Sequence, residues 1–140
     1  MERWIWYAIL SMLFAGCTSV IAKHGLTGIT GELGLTVRTA FVAVFVFGFA
    51  AVAVPLTDWA KLTHANYLWL GLSGATTAVS WVFYYKALKV GEVSTVALID
   101  KGSFTVAVVL AWLVLGEKIT LRVGVGAGLI LIGLLIVSRR

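Results

Sequence analysis

Charge is scarce in this sequence and cysteine nearly absent, and each shortage removes a class of protein. Charged residues make up 12% of the 140 positions and hydrophobic ones 61%, with a single proline. A soluble domain of this length must keep most of its surface polar, because folding buries only part of it. The apolar surface here must therefore face lipid. The length admits one compact unit, residues 1–140, with no room for a separate soluble domain. Cys17 is the only cysteine, which excludes an intrachain disulfide framework and a cysteine metal cluster.

No catalytic constellation is present either. His24 and His64 sit in loops or at helix ends with a long apolar span between them, which gives no support to zinc or acid–base chemistry. Glu92 and Glu117 read as solvated interface residues. The glycine-rich stretches lie inside apolar runs and lack a following Lys-Ser or Lys-Thr, so they are not phosphate loops. An enzyme, a metal and a cofactor are all unexpected. The net charge of +5 raises the question of nucleic acid. Its lysines and arginines, however, are scattered singly at the ends of apolar runs. That distribution suits anionic headgroups and topology signals, and no nucleic-acid partner is expected.

What remains is long apolar segments. A bilayer core of about 30 Å needs roughly 20 apolar residues at 1.5 Å each. Five segments qualify: residues 4–22, 35–55, 67–88, 94–115 and 119–137. Backbone groups in hydrocarbon must be satisfied within their own segment, which requires helices. The fourth segment is rich in β-branched residues, yet it is too long for a buried strand. Gly91 is a candidate left-handed C′ residue for the third helix, and Ser94 a candidate N-cap for the fourth. Trp4, Trp6, Tyr7, Trp59, Tyr67, Trp69, Tyr84 and Tyr85 fall near the boundaries, as interfacial belts do. Arg3 followed by Leu13-Phe14-Ala15-Gly16-Cys17 looks like a lipoprotein signal, but such signals deliver polar domains and four more apolar spans follow. Ala15, Gly16, Cys17 and Ser19 are better read as small residues that permit close helix packing. The expected fold is an all-α membrane protein of five transmembrane helices.

Five spans put the termini on opposite sides. Arg3, Lys61, Lys118 and Arg122 then face Lys23, Lys86, Lys89, Arg139 and Arg140, with Arg38 and Lys101 added if counted. So weak a bias predicts insertion in both orientations, which would allow an antiparallel homodimer. Arg38, Lys86, Asp100 and Lys101 all fall in one leaflet, with Asp100 about 9 Å along its helix from Ser94. Lys86 and Lys101 can snorkel to the interface. Asp100 is too short to do so, and at membrane depth it needs a partner such as Arg38 or a lysine from another helix. Lys101, about 100° away on the wheel, is a poor direct partner. An Asp100–Arg38 pair that closes at one mouth of a shared cavity would form a charged gate. A static pair that only holds helices together is the alternative.

On the third helix Ser73, Thr77, Ser80, Trp81 and Tyr84 recur on one face. Ser11, Cys17, Thr18 and Ala22 form a vaguer stripe on the first. Such stripes serve interhelical hydrogen bonding and close packing. They also suit a solvated cavity with aromatic walls that stack on amphipathic or cationic ligands. Gly124 and Gly128 form a GxxxG pattern, a close-packing surface within the chain or at a dimer seam.

Several short motifs come in a telling order. Ala22-Lys23-His24-Gly25-Leu26 is followed by Leu35-Thr36-Val37-Arg38-Thr39, then Tyr84-Tyr85-Lys86-Ala87-Leu88 with Gly91. Ile99-Asp100-Lys101, Leu115-Gly116-Glu117 and Gly128-Leu129-Ile130-Leu131-Ile132-Gly133 complete the series. Together they resemble an EamA-type domain of the drug/metabolite transporter superfamily over nearly the whole chain. Typical members have ten helices in two inverted five-helix repeats and move metabolites or amino acids. The resemblance implies one repeat of that inverted-repeat fold, similar to the half-size branch. Leu98 stands where a proline often precedes the Ile-Asp-Lys segment, which puts a kink in the fourth helix in question. The first helix also lacks the acidic residue with which related small multidrug exporters couple protons, so that mechanism does not carry over. The implied function is a half-size secondary transporter of small metabolites or amphipathic or cationic compounds in the cell (inner) membrane, working as an antiparallel homodimer by alternating access. A non-transporting scaffold or accessory subunit is the rival, and it predicts a dry stripe on the third helix. A passive channel is disfavoured, because nothing resembles a selectivity filter or charged ring.

Overall fold

A computed structural model describes residues 3–138, so Arg139 and Arg140 of the topology argument lie outside the described residues. The described chain is helical throughout, with no strand: α1 (Arg3–Gly25), α2 (Gly31–Ala53), α3 (Leu56–Trp59), α4 (His64–Val90), α5 (Val93–Asp100), α6 (Ser103–Leu115) and α7 (Leu121–Ser138). Four stretches are long and apolar enough to cross a membrane: Arg3–Gly25, Gly31–Ala53, Val93–Leu115 and Leu121–Ser138. Large hydrophobic side chains are exposed along all of them. With the backbone bonded inside each helix, that exposure suits lipid and not water. This is a multi-pass membrane protein. The segment expected over residues 67–88 is present within α4, the longest helix at 27 residues. Its serines, threonines and aromatics leave it less apolar, and it is not one of the four.

Helix ends depart from the sequence reading where a partner from elsewhere decides them. α2 begins earlier than expected, at Gly31, because Thr30 caps it by accepting from the Leu33 N–H. α5 begins at Val93 with Glu92, not Ser94, in the N-cap position. Gly91 is not left-handed; among the described residues only Gly28 (φ 76°) and Gly116 (φ 67°) have positive φ. The C-terminal carbonyls of α4 are met instead by a lysine, since Lys23 Nζ donates to Leu88 O at 2.6 Å and to Lys89 O at 3.2 Å. A reciprocal bond runs from Lys89 Nζ to Leu26 O at 2.8 Å. Positive charge at a helix C-terminus also complements the helix dipole.

The chain divides into two compact units, Ala22–Val90 and the remainder on either side of it. In Ala22–Val90, α2 packs on α4. Their backbones meet at Gly31, where an added Cβ would lie 2.9 Å from Tyr85 O and 3.1 Å from its carbonyl carbon. Leu26, from the turn after α1, fills the space at Gly34 and is buried with Tyr85 and Leu88.

In the other unit α7 packs on α5 and α6. The fourth apolar span is broken between α5 and α6 at Lys101-Gly102 without any proline. Both residues keep right-handed helical angles, but the bonding tightens from four residues to three. Gly102 N bonds Ile99 O at 2.9 Å, Phe104 N bonds Lys101 O at 3.2 Å and Thr105 N bonds Gly102 O at 3.0 Å. That is a turn of 3₁₀ geometry inside the span. Glycine fits here because Leu134 of α7 presses in: a Cβ on Gly102 would lie 2.8 Å from Leu134 Cδ1. With Lys101 O engaged by Phe104, Thr105 Oγ1 is buried with no hydrogen-bond partner among the described residues.

Candidate functional site

α2 and α4 enclose an open groove of about 790 Å³. Ser73, Thr77 and Trp81 of the stripe expected on α4 line it, with Leu70, Gly74, Ala78 and Val82 beside them. The facing wall is α2, through Leu35, Thr36, Thr39, Ala40 and Ala43. Thr36 and Thr39 were not singled out from sequence. Their spacing with Ala40 and Ala43 on one helical face was the available signal. Ser80 is exposed and Tyr84 stands edge-on to Tyr85, ring centres 6.2 Å apart; neither lines the groove. Ser11 and Thr18 belong to the other unit and line no part of it, and the Thr18 hydroxyl donates to Phe14 O at 2.9 Å.

The threonine hydroxyl protons of the groove are already committed. Thr36 donates to Glu32 O at 2.9 Å, Thr39 to Leu35 O at 2.8 Å and Thr77 to Ser73 O at 2.8 Å. These bonds to the preceding turn spare the helix from an unmet polar group. They leave the threonines offering acceptor lone pairs to anything in the groove.

Arg38 does not line the groove but stacks on one of its walls. Its guanidinium carbon is 4.3 Å from the centre of the Trp81 ring and 5.8 Å from that of Tyr85. Its Nη1 is buried and has no hydrogen-bond partner among the described residues. The Trp81 face expected to receive a cationic ligand is therefore covered by a cation of the protein itself. Lys86, expected to snorkel, instead reaches Glu32 in the first turn of α2 at 3.3 Å, an exposed pair. Solvent and salt screen a pair so exposed, and it adds little to stability.

Asp100 lies in the other unit, at the end of α5. Its carboxylate is 3.6 Å from Lys101 Nζ. Lys101 is thus a direct partner after all, since the reach of its long stem outweighs the angle between neighbouring positions on the helix. The Lys101 ammonium also lies 5.6 Å from the Phe104 ring centre. Gly124 and Gly128 on α7 form an open surface. A Cβ at Gly128 would meet nothing within 4 Å, and one at Gly124 only Ile119 Cγ2 at 3.8 Å. Among the described residues no group of three or more His, Cys, Asp or Glu is placed to hold a metal.

A protein 33% identical over 140 residues, covering 98% of this chain and 97% of its own length, is described as an uncharacterized transporter in the cobO 3′ region of Sinorhizobium sp.. No solved structure matches the chain. The model of the EamA-like transporter family matches residues 2–139. The chain belongs to the EamA-like transporter family.

Proposed function

We propose that this protein is a half-size secondary transporter of small amphipathic metabolites, acting as an antiparallel homodimer by alternating access in the cell membrane. The observation that carries the reading is the hydroxyl-bearing groove between α2 and α4. Polar groups at membrane depth are costly unless they serve packing or a solute path, and within this chain no other helix lines the groove. In this reading α4, about 40 Å long at 27 residues, is the fifth span, joining α1, α2, the α5–α6 pair and α7. An odd number of spans in two opposed copies supplies the inverted symmetry on which alternating access is built. The open Gly124–Gly128 surface is the seam between copies, and Asp100 with Lys101 at the helix break is the charged gate.

Purified protein in liposomes tests the reading, with amino acids, organic acids and organic amines screened for uptake and exchange with and without a pH gradient. Failure to move any of them would favour the scaffold. Orientation is read in intact cells by labelling a C-terminal cysteine in a Cys17→Ser background. Comparable labelling from both sides is expected, and a single orientation would remove the antiparallel dimer.

A further inference from the structure

Residues 22–90 hold five lysines and arginines against two carboxylates, Glu32 and Asp58. Four of those cations have oxygen partners. Lys61 pairs with Asp58 and Lys86 with Glu32, while Lys23 and Lys89 bond main-chain carbonyls. Arg38 differs, because within this unit it is held by aromatic rings alone and its Nη1 lacks an acceptor among the described residues. Stacking on Trp81 uses the face of the guanidinium. It leaves the in-plane fork of N–H donors, the geometry that matches a carboxylate or phosphate. Trp81 is itself a wall of the groove, so Arg38, which does not line the groove, adjoins it through the ring on which it stacks.

We propose that Arg38 anchors the oxyanion of an amphipathic ligand whose apolar body lies along the α2–α4 groove. The juxtaposition makes the groove one-signed. Its positive end carries no carboxylate to neutralise it within the unit, and its threonines offer acceptors for N–H donors further along. An amine head would meet Arg38 as a like charge and would find the Trp81 face already covered. The inference deepens the transporter reading by naming the substrate's head group. It depends on that reading only for the movement of the ligand, not for its binding.

Three compounds with one body separate the possibilities: 3-phenylpropionate, 3-phenylpropanamide and 3-phenylpropylamine. Binding is measured by calorimetry on the whole protein in neutral phosphatidylcholine nanodiscs. The acid should bind about tenfold or more tighter than the amide, with the amine weakest. Arg38→Gln should bring the acid to the level of the amide, and Arg38→Lys should keep only part of the preference. An amine that binds as well as the acid overturns the proposal. So does an acid preference that survives in Arg38→Gln, or an acid that does not bind by about 10 mM. If Arg38→Gln does not fold, the wild-type series and Arg38→Lys decide. Discs containing phosphatidylglycerol identify the source of the oxyanion. Loss of acid binding there, in wild type only, would assign the Arg38 anchor to a lipid headgroup and overturn the free ligand. Acid binding without uptake in liposomes would sink the transporter reading and leave the anchor. Uptake of all three compounds without acid preference would do the reverse.

Discussion

The two units of this chain solve helix packing in different ways. In residues 22–90 the helices meet through backbone contact at Gly31, an ion pair between Glu32 and Lys86, and the Arg38–Trp81 stack. In the unit that holds α5–α7 the close approach between helices is aliphatic, with Leu134 seated on Gly102 at a helix break, and the ion pair, Asp100 with Lys101, joins neighbours in the chain at that break. Polar and charged groups cost free energy in a bilayer; the first unit keeps them between two helices, whereas the second keeps its ion pair within one helix break. The second, more aliphatic unit carries the irregular backbone at Lys101-Gly102 and the open glycine surface of α7.

The sharpest way to break this contrast is at Gly31. Gly31→Val pushes a branched side chain into backbone atoms of Tyr85, which cannot swing aside. A loss of about 1–3 kcal/mol, read as a lower melting temperature in detergent, is expected. An unchanged melting temperature would mean that α2 and α4 are not held at this point. Gly16→Ala is the control, as nothing lies within 4 Å of its Cβ position.

Gly102→Val is the matching change in the aliphatic unit. Its main obstacle is the end of the Leu134 side chain, so the loss should be nearer about 1 kcal/mol. Leu134→Ala in the same chain should recover part of it, whereas additive losses would show that the two residues do not press on each other. Lys23→Met removes the donor that meets the last carbonyls of α4. About 1 kcal/mol should go with it, and hydrogen exchange should rise at the end of α4 before any other helix.

The smallest effect on protomer stability belongs to Gly124→Leu with Gly128→Leu, within about 0.5 kcal/mol, because both Cβ positions are open. In the proposed dimer, chemical crosslinking of the wild type should trap a pair that the double variant loses, as bulky side chains separate backbones whose close packing drives association in lipid. A dimer that survives would place the seam elsewhere.

Much of the architecture was legible without coordinates. Long apolar runs broken by short charged segments admit only helices in lipid, because no water is there to satisfy the backbone. The periodicity of α4 likewise exposed half of the groove, since Ser73, Thr77 and Trp81 share a face on their own helix whatever packs against it. The threonines of α2, the covering of Trp81 by Arg38 and the turn at Lys101-Gly102 were not legible. Each depends on a second helix: its rotation, its distance, or a side chain such as Leu134 arriving from outside the segment. The hydrophobic pattern of one segment is a local property and is written in its residues. Which cation receives a carboxylate and which is left to aromatic rings depends on contacts between residues far apart in the chain, and only tertiary packing fixes those.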